Sequence, residues 1–162
     1  MRDSTKAFPD QTVQVLQGDG RDFGELHPGK VDRVLVDAPC SGLGSLRRRP
    51  EARWHKSATD LKDLTALQQV LLQSALQTVK PGGVVGYATC SPHLAETRQV
   101  VESVVKDRAD LRVLDATAVA HEIIVNPEHD LGSGPYLQLW PDRDGTDAMF
   151  LALIEKFPGS QE

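Results

Sequence analysis

Apolar residues recur along the chain with two different spacings, and the two spacings alternate. Short stretches that are apolar throughout, or that alternate apolar and polar positions, are typical of strands. They predict strands at 12–16, 31–37, 84–90, 111–114 and 148–154. Two longer stretches place apolar residues three or four positions apart, which predicts helices over 59–79 and 92–106. Thr59 or Asp60 is expected to cap the first helix, and the segment 80–83 is expected to end it.

This order of elements predicts the fold class. Strands that alternate with helices in the middle of the chain favour an α/β domain with a parallel sheet. In open sheets of this kind, ligands bind beyond the carboxyl ends of the strands. Three places satisfy that rule because each follows the end of a predicted strand: Asp19, the segment 37–40, and Cys90 with Ser91.

Length and composition describe an ordinary globular domain. The 162 residues suffice for one core, and 40% hydrophobic with 25% charged residues excludes collagen-like and coiled-coil classes. No apolar run reaches the ~20 residues of a membrane span, and the N-terminus lacks the apolar segment of a secretory signal. Two cysteines are too few for a disulfide framework. We therefore expect one cytoplasmic domain over 1–162, with a disordered tail at 157–162 and no membrane partner.

One basic segment stands out in a chain whose net charge is −5. It contains five basic residues, opposed by a single glutamate and interleaved with Trp54: Arg47, Arg48, Arg49, Arg53 and Lys56. A charge run of this kind is, taken alone, more often a solvated face. The alternative is contact with RNA, because arginines grip phosphates and stack on bases. The low aromatic content of 5% argues against a broad base-stacking surface.

The two cysteines each follow a predicted strand. Cys40 ends the segment Asp37-Ala38-Pro39-Cys40, and Cys90 lies between Thr89 and Ser91. If these strands are neighbours, both thiols face one pocket. The alternatives are two buried small apolar side chains, which free cysteines usually are, or a disulfide, which requires Cα atoms within roughly 7 Å. No metal is expected, since the chain has no C-x-x-C pair and no histidine at ligand spacing.

Three motifs, in this order and spacing, carry a family resemblance. They are VLVDAPCSGLG at 34–44, RRRPE at 47–51 followed by Trp54, and GGVVGYATCS at 82–91. Together they closely resemble the Sun/Fmu-type family of RNA cytosine-C5 methyltransferases, which use S-adenosylmethionine (SAM) on a Rossmann-like sheet. The turn at 18–21 resembles the acidic turn of that family, and 147–150 resembles the start of its terminal strand. The resemblance extends over about residues 12–156.

The resemblance implies a reaction and a role for each matching residue. A cysteine thiolate adds to C6 of cytosine, so that C5 becomes nucleophilic enough to accept a methyl group. By position in the motifs, Cys90 is the attacking thiol, Cys40 assists release of the product, and Asp37 binds the N3/N4 edge of the base. The same resemblance implies SAM contacts from Asp19, Asp37 and Pro39, and RNA contacts, with 16S ribosomal RNA expected, from Arg47, Arg48 and Arg53.

The chain also departs from the family pattern. The glycine-rich loop that receives the methionine end of SAM, and the acidic residue that binds its ribose, have no counterpart in the sequence. We therefore expect a truncated Rossmann-like sheet, mostly parallel with an antiparallel C-terminal strand, and an incomplete SAM site. Weak or absent SAM binding and an inactive isolated chain follow from that. An open sheet edge invites pairing, so we expect either collapse of 12–16 onto 31–37 or a homodimer across the edge.

Two other functions remain open. The chain could be a non-enzymatic remnant that binds RNA or a partner protein, a hypothesis against which the retained cysteines argue mildly. A thiol redox function would require Cys40 and Cys90 to be in contact.

Overall fold

A mixed sheet of five strands forms the centre of the computed structural model, which describes residues 8, 12–54, 57–126 and 128–158. The strands are β1 (Val31–Asp37), β2 (Val79–Thr89), β3 (Leu111–Leu114), β4 (Leu137–Gln138) and β5 (Phe150–Lys156). Their spatial order is β1-β2-β5-β3, with β4 also pairing with β5. β1 and β2 are parallel, whereas β5 is antiparallel to β2, β3 and β4. The predicted α/β sheet with an antiparallel C-terminal strand is confirmed.

The register of the strands decides what meets at their carboxyl ends. The parallel pairing of β1 with β2 ends with Asp37 opposite Ala88, and the antiparallel pairing of β2 with β5 begins with Thr89 opposite Phe150. The residues after β1, the residues after β2 and those before β5 therefore share one edge of the sheet. The segment 80–83, expected to end the preceding helix, follows the last helical residue, Thr78, and forms part of β2, where the pairing with β1 shifts register.

Two helices pack against the sheet near the sites of interest. α2 (Ala58–Thr78) follows the predicted helix closely, but its N-cap is Ser57, which forms a reciprocal capping box with Asp60. The helix predicted at 92–106 is divided: a 3-10 turn over Leu94–Glu96 precedes α3 (Arg98–Val105). The core contains residues from both helices and the strands: Leu72, Leu76, Val100, Val101, Val85, Tyr87, Phe150 and Ile154.

Three further helices have no counterpart in the sequence prediction. α1 (Phe23–Leu26) and α5 (Pro141–Asp144) are single turns, too short to show a helical period. α4 (Ala116–Ile123) is capped by Asp115, whose side chain accepts a hydrogen bond from the backbone N–H of Ala118. No helix within the described part of the chain is both long and apolar enough to span a bilayer.

The strand predicted at 12–16 is wrong. These residues are not in the sheet, and Val13 and Leu16 are exposed. The following segment is bound to α2 instead: Ser74 Oγ donates to the Gly20 carbonyl and accepts from the Gly24 N–H. Residues 12–16 do not pair with β1, so the expected collapse of 12–16 onto 31–37 is wrong as well.

β1 forms one margin of the sheet, where a homodimer contact was expected. Leu35 of β1 is 71% exposed, and β2 is the one strand that pairs with β1 among the described residues. The homodimer across this edge stays a prediction.

In the expected tail, the Phe157 N–H donates to the Asp110 carbonyl, and the guanidinium of Arg112 lies over the Phe157 ring. Residues 159–162 of that tail lie outside the described residues.

Candidate active site

The loops that carry the two cysteines lie side by side because β1 and β2 end together. The Ala38 N–H continues the pairing by donating to the Ala88 carbonyl. Beyond it, Cys40 Sγ and Cys90 Sγ lie 3.3 Å apart, close enough for an S–H···S hydrogen bond. Both residues are half-buried and neither forms a disulfide. The structure therefore brings together the two thiols that the motifs singled out.

A cavity of about 440 Å³ opens onto both thiols. Its walls include three of the predicted site residues besides Cys90, together with an arginine that the motif roles did not include: Asp37, Pro39, Cys40 and Arg49. The Pro39 carbonyl is fixed by Gln68 of α2, whose Nε2 donates to it at 2.8 Å. The cavity thus joins a carboxylate, two sulfur atoms and a guanidinium in one water-accessible space.

The environment of the Cys40 thiol opposes its ionisation. Burial raises the pKa of Cys40 to about 12, and its hydrogen bond with Cys90 adds to the increase. Cys40 is therefore a neutral thiol at physiological pH, and it is the donor when Cys90 carries a negative charge.

Glu96 is a site residue that the sequence analysis missed. Its carboxylate is fully buried and accepts hydrogen bonds from the residue after each cysteine, Ser41 and Ser91. Gln68 donates to the same carboxylate, and Tyr87 donates to the Glu96 backbone carbonyl. The available signal was an acidic residue five positions after Ser91, but a polar position near the start of a helix usually faces solvent.

The basic segment is attached to the domain by ion pairs and a ring contact. Arg47 and Arg48 both pair with Asp147, which lies just before β5. The pKa of Arg48 is raised, first by its hydrogen bond to Asp147 and to a lesser extent by the charge of Cys90. Arg53 lies over the ring of Trp54 at 4.6 Å, and that ring is 73% exposed. The side chains of Arg47 and Arg48 nevertheless stay more than half exposed.

Gly44 connects three parts of the site through its backbone. Its N–H donates to the Cys90 carbonyl, and its own carbonyl accepts from the Ala148 N–H, each at 2.9 Å. A β-carbon at this position would collide with the backbone of Ala148 and would lie 2.8 Å from the Cys90 carbonyl oxygen. Glycine is therefore required for the two cysteine loops and the start of β5 to approach this closely.

Asp19 lies apart from the thiols. Its carboxylate binds Arg21, whose side-chain and backbone hydrogen bonds lower the Asp19 pKa to about 2. It lines a cavity of about 530 Å³ with Phe23, distinct from the thiol cavity. A third space of about 240 Å³, lined by Gly20, Phe23 and Asp37 among others, lies between the two regions.

These residues fit one end of SAM. Asp19 is an ionised acceptor, and Phe23 with the apolar residues of β1 forms a wall that suits an adenine ring. The described residues contain no glycine-rich turn after a strand that would direct backbone N–H groups at the methionine end. Within the same residues, no group of three metal-ligating side chains is found.

Comparison with known proteins agrees with these motifs. A family model described as 16S rRNA methyltransferase RsmB/F matches residues 1–155. A putative methyltransferase of Mycobacterium tuberculosis, Rv1407, is 49% identical over 153 residues, which are 94% of this chain and 31% of that protein. Ribosomal RNA small subunit methyltransferase F of Aeromonas salmonicida is 34% identical over 89% of this chain and 30% of its own length. The crystal structure of PH0851 superposes with a TM-score of 0.82 at 29% identity, covering 96% of this chain and 33% of that one. The chain thus spans about a third of the length of the curated relatives it matches.

Proposed function

This chain belongs to the RsmB/F family of 16S rRNA methyltransferases, and we propose that it carries the site at which C5 of a cytosine in RNA is methylated. The observation that carries the proposal is the pair of thiols 3.3 Å apart, in one cavity with Asp37. The substrate we propose is 16S ribosomal RNA, and the methyl donor is SAM.

Cys90 is the nucleophile in this proposal. Its thiolate forms a bond to C6 of the cytosine, and the electron pair of the C5=C6 bond moves toward C5 and N3. Asp37, on the wall of the same cavity, holds the N3/N4 edge of the base in position. SAM supplies the methyl group that C5 accepts. A water molecule entering the open cavity then takes the C5 proton, the C–H electron pair restores the C5=C6 bond, and Cys90 leaves as a thiolate, so the enzyme is regenerated.

Cys40 acts in the release step. Because its pKa is about 12, it keeps its proton at physiological pH and can donate a hydrogen bond to Cys90 Sγ. That hydrogen bond stabilises the negative charge that returns to Cys90 as the S–C6 bond breaks.

The basic segment is the proposed RNA contact. Arg47 and Arg48 keep more than half of their side-chain surface exposed after pairing with Asp147, so outward N–H groups remain for phosphate oxygens. Arg53 and Trp54 form an exposed stacked pair onto which a base can stack. Arg49 extends this basic surface to the wall of the thiol cavity.

Methyl transfer and covalent trapping test the proposal. Cytosine-containing 16S rRNA is incubated with labelled SAM and either this chain or the chain extended upstream by the glycine-rich segment of the family. We expect calorimetry to detect SAM binding by the extended chain and little by the shorter one. In the methylating form, Cys90→Ala should abolish both methylation and the denaturant-resistant RNA adduct, whereas Cys40→Ala should accumulate that adduct. Methylation that survives Cys90→Ala would exclude the assigned nucleophile.

The same experiment separates the alternative function. RNA binding that is lost in Arg47→Ala, Arg48→Ala and Arg53→Ala variants, with no SAM effect and no methylation by either form, would favour a non-enzymatic RNA-binding module.

A further inference from the structure

Glu96 is a buried carboxylate that the proposed chemistry does not use. It is fully excluded from solvent, on a 3-10 turn behind the cavity that holds the thiols. Removing a carboxylate from water is costly unless all of its acceptor positions are satisfied. A group buried at this cost and placed between two reactive loops calls for a physical explanation.

The hydrogen bonds of Glu96 supply that explanation. One carboxylate oxygen accepts from the Ser41 N–H at 2.6 Å and from Gln68 Nε2 at 3.2 Å. The other accepts from Ser41 Oγ at 2.5 Å and from Ser91 Oγ at 2.6 Å. Each oxygen therefore has two donors, which is the capacity of an ionised carboxylate. The donors come from the Cys40 loop, the Cys90 loop and α2.

We propose that Glu96 is a positioning residue that fixes the separation of Cys40 and Cys90. Ser41 directly follows Cys40 and Ser91 directly follows Cys90, so the carboxylate holds each loop one residue from its sulfur atom. Both hydroxyls converge on one carboxylate oxygen and lie 3.4 Å from each other. The purpose assigned to this spacing, two thiols that act in turn on one base, rests on the proposed function.

Glu96 is itself held in place from a third direction. Tyr87, near the carboxyl end of β2 and fully buried, donates its hydroxyl to the Glu96 backbone carbonyl at 2.8 Å. Gln68 bridges the carboxylate and the Pro39 carbonyl. Glu96 is therefore fixed both to the sheet and to α2. A carboxylate held in this way can position the two cysteine loops, whereas a mobile one could not.

A thiol–disulfide titration measures the spacing directly. Because the chain has two cysteines in all, its equilibrium with reduced and oxidised glutathione reports how favourably Cys40 and Cys90 meet. We expect Glu96→Ala to lower the equilibrium constant for disulfide formation by about tenfold, which corresponds to about 30 mV. Glu96→Gln is isosteric and can still accept from the Ser41 N–H and donate to a serine hydroxyl, so it should remain within about threefold of the wild-type constant.

Ser103→Ala is the matched control. Ser103 lies on α3 and donates its hydroxyl to the Val100 carbonyl, so its loss removes one partly buried hydrogen bond without touching Glu96 and should leave the glutathione equilibrium unchanged. An unchanged constant in Glu96→Ala, or an equal decrease in Ser103→Ala, would overturn the proposal. If Glu96→Ala does not fold, Ser91→Ala decides, since it removes one tether and should lower the constant; no decrease there is equally decisive against the proposal.

The titration uses neither RNA nor SAM, so its result does not depend on the proposed function. If the wild-type protein proves unable to methylate RNA but the variants change the glutathione equilibrium as expected, the proposed function fails and the positioning role of Glu96 holds. In a methylating form, Glu96→Ala should reduce kcat about tenfold or more while KM for RNA is unchanged. An increase in KM with unchanged kcat would assign Glu96 to RNA binding instead and overturn the positioning role.

Discussion

The thiol cavity and the Asp19 turn lie on either side of the end of β1, and they are held in contrasting ways. Around the thiols, contacts join distant parts of the chain: Glu96 to Ser41, Gly44 to Ala148, and Arg48 to Asp147. Asp19 is bound by Arg21, two residues away, on an exposed surface. One region is shaped by the tertiary structure, whereas the other is shaped by its own turn.

The difference shows which region of the molecule is held by buried long-range contacts. Covalent catalysis needs reacting atoms held within fractions of an ångström, and such positions require buried networks. The cysteine pair, which our proposal makes catalytic, has such a network within the described residues. The Asp19 side, which we propose binds SAM, consists of an exposed turn beside apolar residues of β1.

The largest expected effect concerns the reactivity of Cys40. In Cys90→Ala, the buried Cys40 keeps a raised pKa, since burial is the first cause of the increase to about 12. A raised pKa leaves less thiolate, and thiolate is the reactive form. Alkylation of this variant by iodoacetamide should be about tenfold or more slower than that of an exposed cysteine. Equal rates would show that the Cys40 loop is as open as the Asp19 turn.

Gly44→Ala should be the most destabilising of the substitutions considered for the site. The new methyl group meets backbone atoms of Ala148 and Cys90, which cannot rotate away. Overpacking of this kind costs about 1–3 kcal/mol or more, or a decrease in Tm of about 3–10 °C. Gly18→Ala, with no atom within 4 Å of the added carbon, should change stability by less than about 0.5 kcal/mol. Urea unfolding measures the free energy of unfolding of both variants. Similar decreases would contradict the view that the thiol site is tightly packed and the Asp19 turn is not.

The decline of Tm at acid pH distinguishes Asp144 from Asp19, two carboxylates with similar pKa values. Burial raises the pKa of Asp144, but hydrogen bonds from Arg143, the Trp140 N–H and His129 outweigh it and lower the pKa to about 2. The Asp19 pKa is also about 2, owing to Arg21 alone. A lowered pKa stabilises the fold above the unfolded value of about 3.9, and this contribution is lost as the pH falls toward 2. Asp144→Asn should flatten the decline in Tm between pH 5 and pH 2 more than Asp19→Asn does, because Asp144 is 2% exposed and Asp19 40%.

The smallest effect is expected for Arg21→Ala. Its ion pair with Asp19 is exposed and local, and such pairs add little to stability. Thermal unfolding should show no measurable change. Arg48→Ala should lower Tm measurably, because Arg48 joins the loop after Cys40 to Asp147, 99 residues later. If the two variants behave alike, the long-range pairing does not stabilise the site.

Much of this site could be read from the sequence, since motifs at strand ends are local. The position of Cys40 and Cys90 required only that β1 and β2 be neighbours. Glu96 could not be identified, because in the sequence a buried glutamate with four donors looks like one that faces water. The pairing of Arg47 and Arg48 with Asp147 was equally hidden, because their separation in sequence carries no local signal.

The strand predicted at 12–16 shows that a local pattern can also predict an element that does not form. Alternation of apolar and polar residues describes a segment able to form a strand, but a strand also requires a neighbour to accept its hydrogen bonds. Gly20 and Gly24 form hydrogen bonds with Ser74 of α2, and nothing in residues 12–16 indicates that the next segment is held there.

The central position of β5 has a consequence for synthesis of the protein on the ribosome. β5 lies between β2 and β3 although it follows both in sequence, so a nascent chain that ends before Phe150 can pair β1 with β2 but leaves the other edge of β2 open. Such an open edge exposes unpaired backbone groups to aggregation until β5 has been synthesised. A nascent polypeptide stopped before Phe150 would therefore lack the middle of the sheet and would become a substrate for chaperones and proteases.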